Sequence, residues 1–197
     1  MDLILLLKQR YPDRVFFVVG NHDSFSTDVM KGGIPQSVLW EKKLRECRGP
    51  EYAQEMSVFY QLSPLVVLSP DFLACHAGPP RLAVTTETLV EARQFPEIVH
   101  DLTWNRLKTP VWPAGYGKGQ VKRFRRSLEL SEATPFIVAH FPQDRTETLW
   151  LNAGEIPNHH IVFSARANQA GLFTRVNGTL LPQIWPVRKL LAESQRI

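Results

Sequence analysis

The sequence predicts a mixed α/β fold, and three observations carry that expectation. Short continuous apolar runs, such as residues 15–19 (VFFVV) and 136–139 (FIVA), have the length and composition of buried strands. Longer stretches between them set apolar residues at helical spacing. Fifteen prolines are spread along the 197 residues, which suits many turns and no low-complexity linker.

Taken in order, residues 2–11 read as a helix with Leu3, Leu6 and Leu7 on one face, stopped by Pro12. Residues 15–19 follow as a buried strand that ends at Gly20. Residues 37–47 read as an amphipathic helix with Val38, Leu39 and Leu44 turned inward. Residues 65–68 and 72–75 are two strands joined by a tight turn at Ser69-Pro70-Asp71. Residues 95–107 are helical and bury Ile98, Leu102 and Trp104. A Gly-rich loop at Gly117 continues as a helix to Leu130, with Val121, Phe124 and Leu128 on one face and Lys122, Arg123, Arg125 and Arg126 crowding the rest. Residues 136–139 form another buried strand, and residues 160–184 read as strands around an Asn177-Gly178 hairpin turn.

Composition narrows the function classes. With 44% hydrophobic and 21% charged residues, the chain is expected to form a single domain over residues 1–197 around one sizeable core. No apolar stretch approaches the ~18 residues of a membrane span. The charge at the start follows the leucine run, and no small-residue cleavage site appears, so residues 1–12 do not read as a signal peptide. Cys47 and Cys75 form no CxxC pair, which fits a reducing cytoplasm. A net charge of +4 suits an anionic substrate but is too small to point to nucleic acid.

Three fragments concentrate the chemistry: Val19-Gly20-Asn21-His22-Asp23, Ala74-Cys75-His76-Ala77-Gly78 and Val138-Ala139-His140-Phe141-Pro142. Each starts in an apolar strand and then presents a histidine among small or turn-forming neighbours. Imidazole nitrogen is a common ligand for divalent transition metals, and the Asn21 carbonyl oxygen adds a hard donor. Loops at strand ends hold such groups while leaving one side open. His100 reads as a helix-surface residue, and His159 and His160 as structural residues beside a strand.

Gly20-Asn21-His22-Asp23 resembles the GNH(E/D) signature of the calcineurin-like metallophosphoesterases, closest to their phosphoprotein-phosphatase (PPP) branch and its bacterial relatives. Further segments resemble that branch in the same order: Cys75-His76-Ala77-Gly78, Asp101-Leu102-Thr103-Trp104, Gly115-Tyr116-Gly117, Ala139-His140 and Phe163-Ser164-Ala165. The similarity runs from about residue 3 to residue 180. The resemblance implies a four-layer αββα sandwich and metal-dependent hydrolysis of phosphomonoesters, including serine/threonine phosphoproteins, by a water activated between two metals of the Mn, Fe or Zn type. It implies Asn21, His76 and His140 as ligands of one metal, and His22 as the acid that protonates the leaving oxygen. Asp23 takes a turn or supporting role. The implied partner is a phosphorylated substrate, either a phosphoprotein or a small phosphoester.

The resemblance also shows what this stretch lacks. The family's GDxHG and GDxxDRG motifs, which precede GNHD and supply the carboxylates and a phosphate-binding arginine, have no counterpart here. The expectation is an N-terminally truncated domain without its first strands and helix. It keeps ligands for one metal site only and is impaired as a catalyst. The alternatives are a noncatalytic pseudo-phosphatase that binds phosphorylated ligands and a fragment with no function of its own. Val138 stands where that branch commonly has an arginine, and the family's SAPNY stretch reads Ser164-Ala165-Arg166-Ala167-Asn168. Arg166 is the candidate replacement for the missing positive charge at the substrate.

Overall fold

A computed structural model describes residues 1–27, 29–144, 147–164 and 168–188. The chain divides into two compact units, Met1–Leu65 and Val66–Ile197.

The first unit contains helix α1 (Asp2–Arg10), the two-residue strands β1 (Met30–Lys31) and β2 (Ile34–Pro35), and helices α2 (Gln36–Arg48) and α3 (Pro50–Leu62). Its core is Leu44, Ala53, Met56 and Tyr60, with Leu5, Phe17, Phe25, Tyr52 and Phe59 packed against it. Phe17 lies 5.4 Å from Phe59 and Phe25 5.8 Å from Tyr60, ring centre to ring centre, so aromatic contacts dominate this core.

Helix α1 forms and ends as the sequence predicts, but a different face turns inward. Asp2 pairs with Arg48 of α2 and accepts from Tyr52 Oη of α3 at 2.8 Å, which turns the Asp2–Leu5 face toward those helices. Leu3 and Leu6 are left exposed. On α2, Leu44 is buried as expected, whereas Leu39 is exposed, because it sits about 140° around the helix from Leu44. Residues 15–19 form no strand. Val19 is buried and its N–H donates to Pro64 O at 3.0 Å, while Phe16 is exposed. An apolar run can be buried by its composition, but a strand also needs a ladder partner, and none pairs with it among the described residues.

The second unit is built on a five-stranded mixed sheet in the order β3-β4-β5-β7-β6. Its strands are β3 (Val66–Leu68), β4 (Leu73–Cys75), β5 (Phe136–Val138), β6 (Leu149–Trp150) and β7 (His159–Val162). Strands β3 and β4 pair antiparallel across the expected turn, where Ser69 Oγ accepts from Asp71 N and Phe72 N. Strands β4, β5 and β7 run parallel, with Ala74 opposite Ile137 and Ile137 opposite His160.

Helices α4 (Thr86–Val90), α5 (Pro96–Trp104) and α6 (Lys118–Ser127) lie between β4 and β5 in the chain. Val121 and Phe124 of helix α6 and Leu128, which follows its last residue, are buried as the periodicity predicts, and Phe124 meets Phe136 edge-on at 5.6 Å. Arg125 departs from the expected solvated face. It is buried and donates to Pro157 O at 3.0 Å and Asn158 O at 2.6 Å, because the loop before β7 presents carbonyls to it. Helix α5 buries Ile98 and Leu102, while Trp104 is only half-buried and ends the helix three residues before the predicted end.

The final hairpin, β8 (Gln169–Val176) and β9 (Thr179–Pro186), turns at Asn177-Gly178 as expected. It covers the sheet face opposite α6. His159 faces Tyr116 and Phe136, whereas His160 faces Phe173 of the hairpin at 5.2 Å. The fold class is therefore mixed α/β, as the sequence predicts. Among the described residues no helix is long and apolar enough to cross a membrane.

Candidate metal and anion site

His76 directly follows β4, and His140 lies two residues beyond β5. Because these strands are parallel neighbours, both histidines emerge at the same carboxyl end of the sheet, where open α/β sheets hold their ligands. Ala139 N donates to His76 O at 2.8 Å, so the pairing continues one step past the strands. Phe141 N then donates to Ala139 O at 2.6 Å, closing a three-residue turn around His140, whose φ is +53°. A non-glycine residue at positive φ costs free energy, and this turn swings the His140 ring back onto His76. The two rings meet at 5.1 Å, with His76 Nε2 3.2 Å from His140 Nδ1.

The loop after His76 is tied to α5 at several points. Ala77 N donates to Leu102 O at 2.8 Å, and Asn105 Nδ2 to Pro79 O at 2.8 Å. Buried Asp101 accepts from Arg81 N at 2.7 Å and from Arg81 Nε at 2.9 Å. Gly78 fits here because a Cβ would come within 2.4 Å of the Tyr116 ring.

Arg106, which the sequence reading did not single out, joins the pair. Its Nε lies 3.5 Å from His140 Nε2, and its guanidinium carbon lies 4.3 Å from the Trp112 ring centre and 4.9 Å from that of Phe141. Among the described residues no carboxylate pairs with Arg106. With the proton on His140 Nδ1, Nε2 accepts from Arg106 and Nδ1 donates to His76 Nε2. Trp104 packs edge-on against His140 at 5.8 Å and completes the wall.

The pair's spacing bears on metal binding. Two imidazole nitrogens bound to one ion at about 2.0–2.1 Å, at an angle between octahedral and tetrahedral, stand roughly 2.8–3.4 Å apart. The observed 3.2 Å fits adjacent positions on one such ion. No group of three or more His, Cys, Asp or Glu side chains able to hold a metal occurs among the described residues. The donor set in this unit therefore fits two positions on one transition-metal ion.

Asn21 and His22 belong to the first unit. There Gly20–Asp23 is a closed turn: Asp23 N donates to Gly20 O at 3.1 Å, and Gly20 N donates to Asp23 Oδ2 at 2.8 Å. Burial pushes the Asp23 carboxyl above the usual range, opposed by the Gly20 N–H and the nearby His22. Asn21 is buried and His22 exposed. Arg166 lies outside the described residues. His100 is exposed and stacks on Trp104, as a surface residue.

His159 and His160 take the structural roles expected of them. His159 Nε2 lies 3.0 Å from Tyr116 Oη, and burial lowers its pKa to about 3. Burial also lowers the His160 pKa. No protein-family model matches the chain, and no curated protein sequence matches it.

Proposed function

We propose that this chain binds a divalent metal through His76 and His140 and hydrolyses phosphomonoesters there, as a calcineurin-like metallophosphoesterase of the phosphoprotein-phosphatase branch with a reduced αββα sandwich. The observation that carries the proposal is the 3.2 Å between His76 Nε2 and His140 Nδ1 at adjacent parallel strand ends, with Arg106 beside them. A bound ion of the Mn, Fe or Zn type supplies polarisation of a phosphoryl oxygen and a water of lowered pKa. The chain's own residues do the rest. His76 and His140 hold the ion. With its proton on Nε2, His140 no longer accepts from Arg106, and that guanidinium can take a phosphoryl oxygen.

Both cysteines are free thiols, which fits the cytoplasm. The substrate is a phosphoprotein or a small phosphoester. A second reading, metal-dependent binding of a phosphorylated ligand without turnover, draws on the lack of an acidic side chain with the histidine pair among the described residues.

Hydrolysis of p-nitrophenyl phosphate with and without Mn²⁺ separates the readings. Metal-dependent turnover that falls at least about a hundredfold in His76→Ala and His140→Ala supports the hydrolase. Metal-dependent phosphate binding with no turnover supports the second reading. Neither binding nor turnover overturns both.

A further inference from the structure

Residues 105–116 form a closed loop that carries Arg106 at its base and Trp112 at its tip. Tyr116 N donates to Arg106 O at 2.8 Å and Lys108 N to Tyr116 O at 2.7 Å, sealing the two ends together. The tip is a tight turn in which Trp112 N donates to Thr109 O and Oγ1, both at 3.0 Å, and Thr109 N donates back to Trp112 O at 3.1 Å. Gly115 is required where the strands of the loop converge, since a Cβ there would lie 2.2 Å from Arg106 O and 2.8 Å from Lys108 N. The loop is closed by its own backbone hydrogen bonds, and Trp112 remains 43% exposed. Phe141, next to His140, is 36% exposed. Both rings lie within 5 Å of the guanidinium carbon of Arg106.

Two half-exposed aromatic rings flanking one cation that lacks a carboxylate partner among the described residues form a mixed surface. The cation suits an anionic head, and the rings suit a planar apolar body joined to it. A short alkyl phosphoester would leave both rings wet. The geometry points to a stacking subsite formed by Trp112 and Phe141 for the organic group of the substrate. The preferred substrate class is therefore a phosphomonoester with an aromatic ring near the phosphate, such as an aryl phosphate or a mononucleotide. This rests on the phosphoester reading of the same site. It adds specificity for the group attached to phosphate, and Arg106 holds the shared phosphoryl end.

Calorimetric titration of the 197-residue chain in Mn²⁺ with phenyl phosphate and with methyl phosphate tests it. The two ligands share the phosphoryl group and differ in the ring. Phenyl phosphate is expected to bind about five- to a hundredfold more tightly, the range of one aromatic stack. Trp112→Leu and Phe141→Leu should each weaken phenyl phosphate more than methyl phosphate and so erode that preference. Arg106→Ala should weaken both ligands alike. Equal affinity for the two ligands, or a preference untouched by both aromatic variants, overturns the stacking subsite while leaving the phosphoester site standing. Binding of neither ligand overturns the phosphoester reading and the subsite with it.

Discussion

His22 and His159 sit in opposite surroundings. His22 is exposed on the Gly20–Asp23 turn. His159 is buried between Tyr116 and Phe136 with its pKa lowered to about 3. In the unfolded chain it titrates near 6.5, so between those values the unfolded state binds the extra proton. Its contribution to stability is complete above about pH 6.5 and is lost as pH falls toward 3, at up to ~1.4 kcal/mol per pH unit. Urea midpoints between pH 7 and pH 4 should fall more steeply for the wild type than for His159→Gln; parallel curves would contradict this.

Among the elements, β4 and β5 bring His76 and His140 together, and the 105–116 loop adds the cation. Gly115→Val forces a side chain onto Arg106 O and Lys108 N, so the loop must open. The expected cost is about 1–3 kcal/mol in a denaturation curve, with weakened phosphate binding, because Arg106 leaves His140. Unchanged phosphate binding would uncouple the loop from the site. Phe136→Ala empties a fully buried position between Phe124 and His159 and should cost about 3–5 kcal/mol.

What could be read from the sequence was local. The strand runs at 66–68, 73–75 and 136–138 carry their own apolar composition, and the histidines sit at their ends, so both elements and site candidates were visible. The failures are nonlocal. Residues 15–19 carry the composition of a strand and no ladder. The inward face of α1 depends on Arg48 and Tyr52, 46 and 50 residues beyond Asp2. Arg125 is buried because carbonyls 32 and 33 residues away accept from it. Arg106 was missed because its place beside His140, 34 residues away, depends on loop closure. The Gly115-Tyr116-Gly117 motif was the one available signal, since a close backbone approach needs a glycine.

At the scale of the molecule, the net charge of +4 favours approach of phosphorylated ligands, and binding of phenyl phosphate should weaken as ionic strength rises. The central claim is that His76 and His140 together hold a divalent metal. Titration of the metal-free chain with Zn²⁺ or Mn²⁺, followed by calorimetry and by the proton and carbon signals of the two imidazoles, tests it most directly. The account predicts saturable binding with both rings perturbed, and a loss of at least about tenfold in affinity in His76→Ala and in His140→Ala. Equal affinity in the wild type and both variants, with the two imidazole signals unmoved, would contradict it.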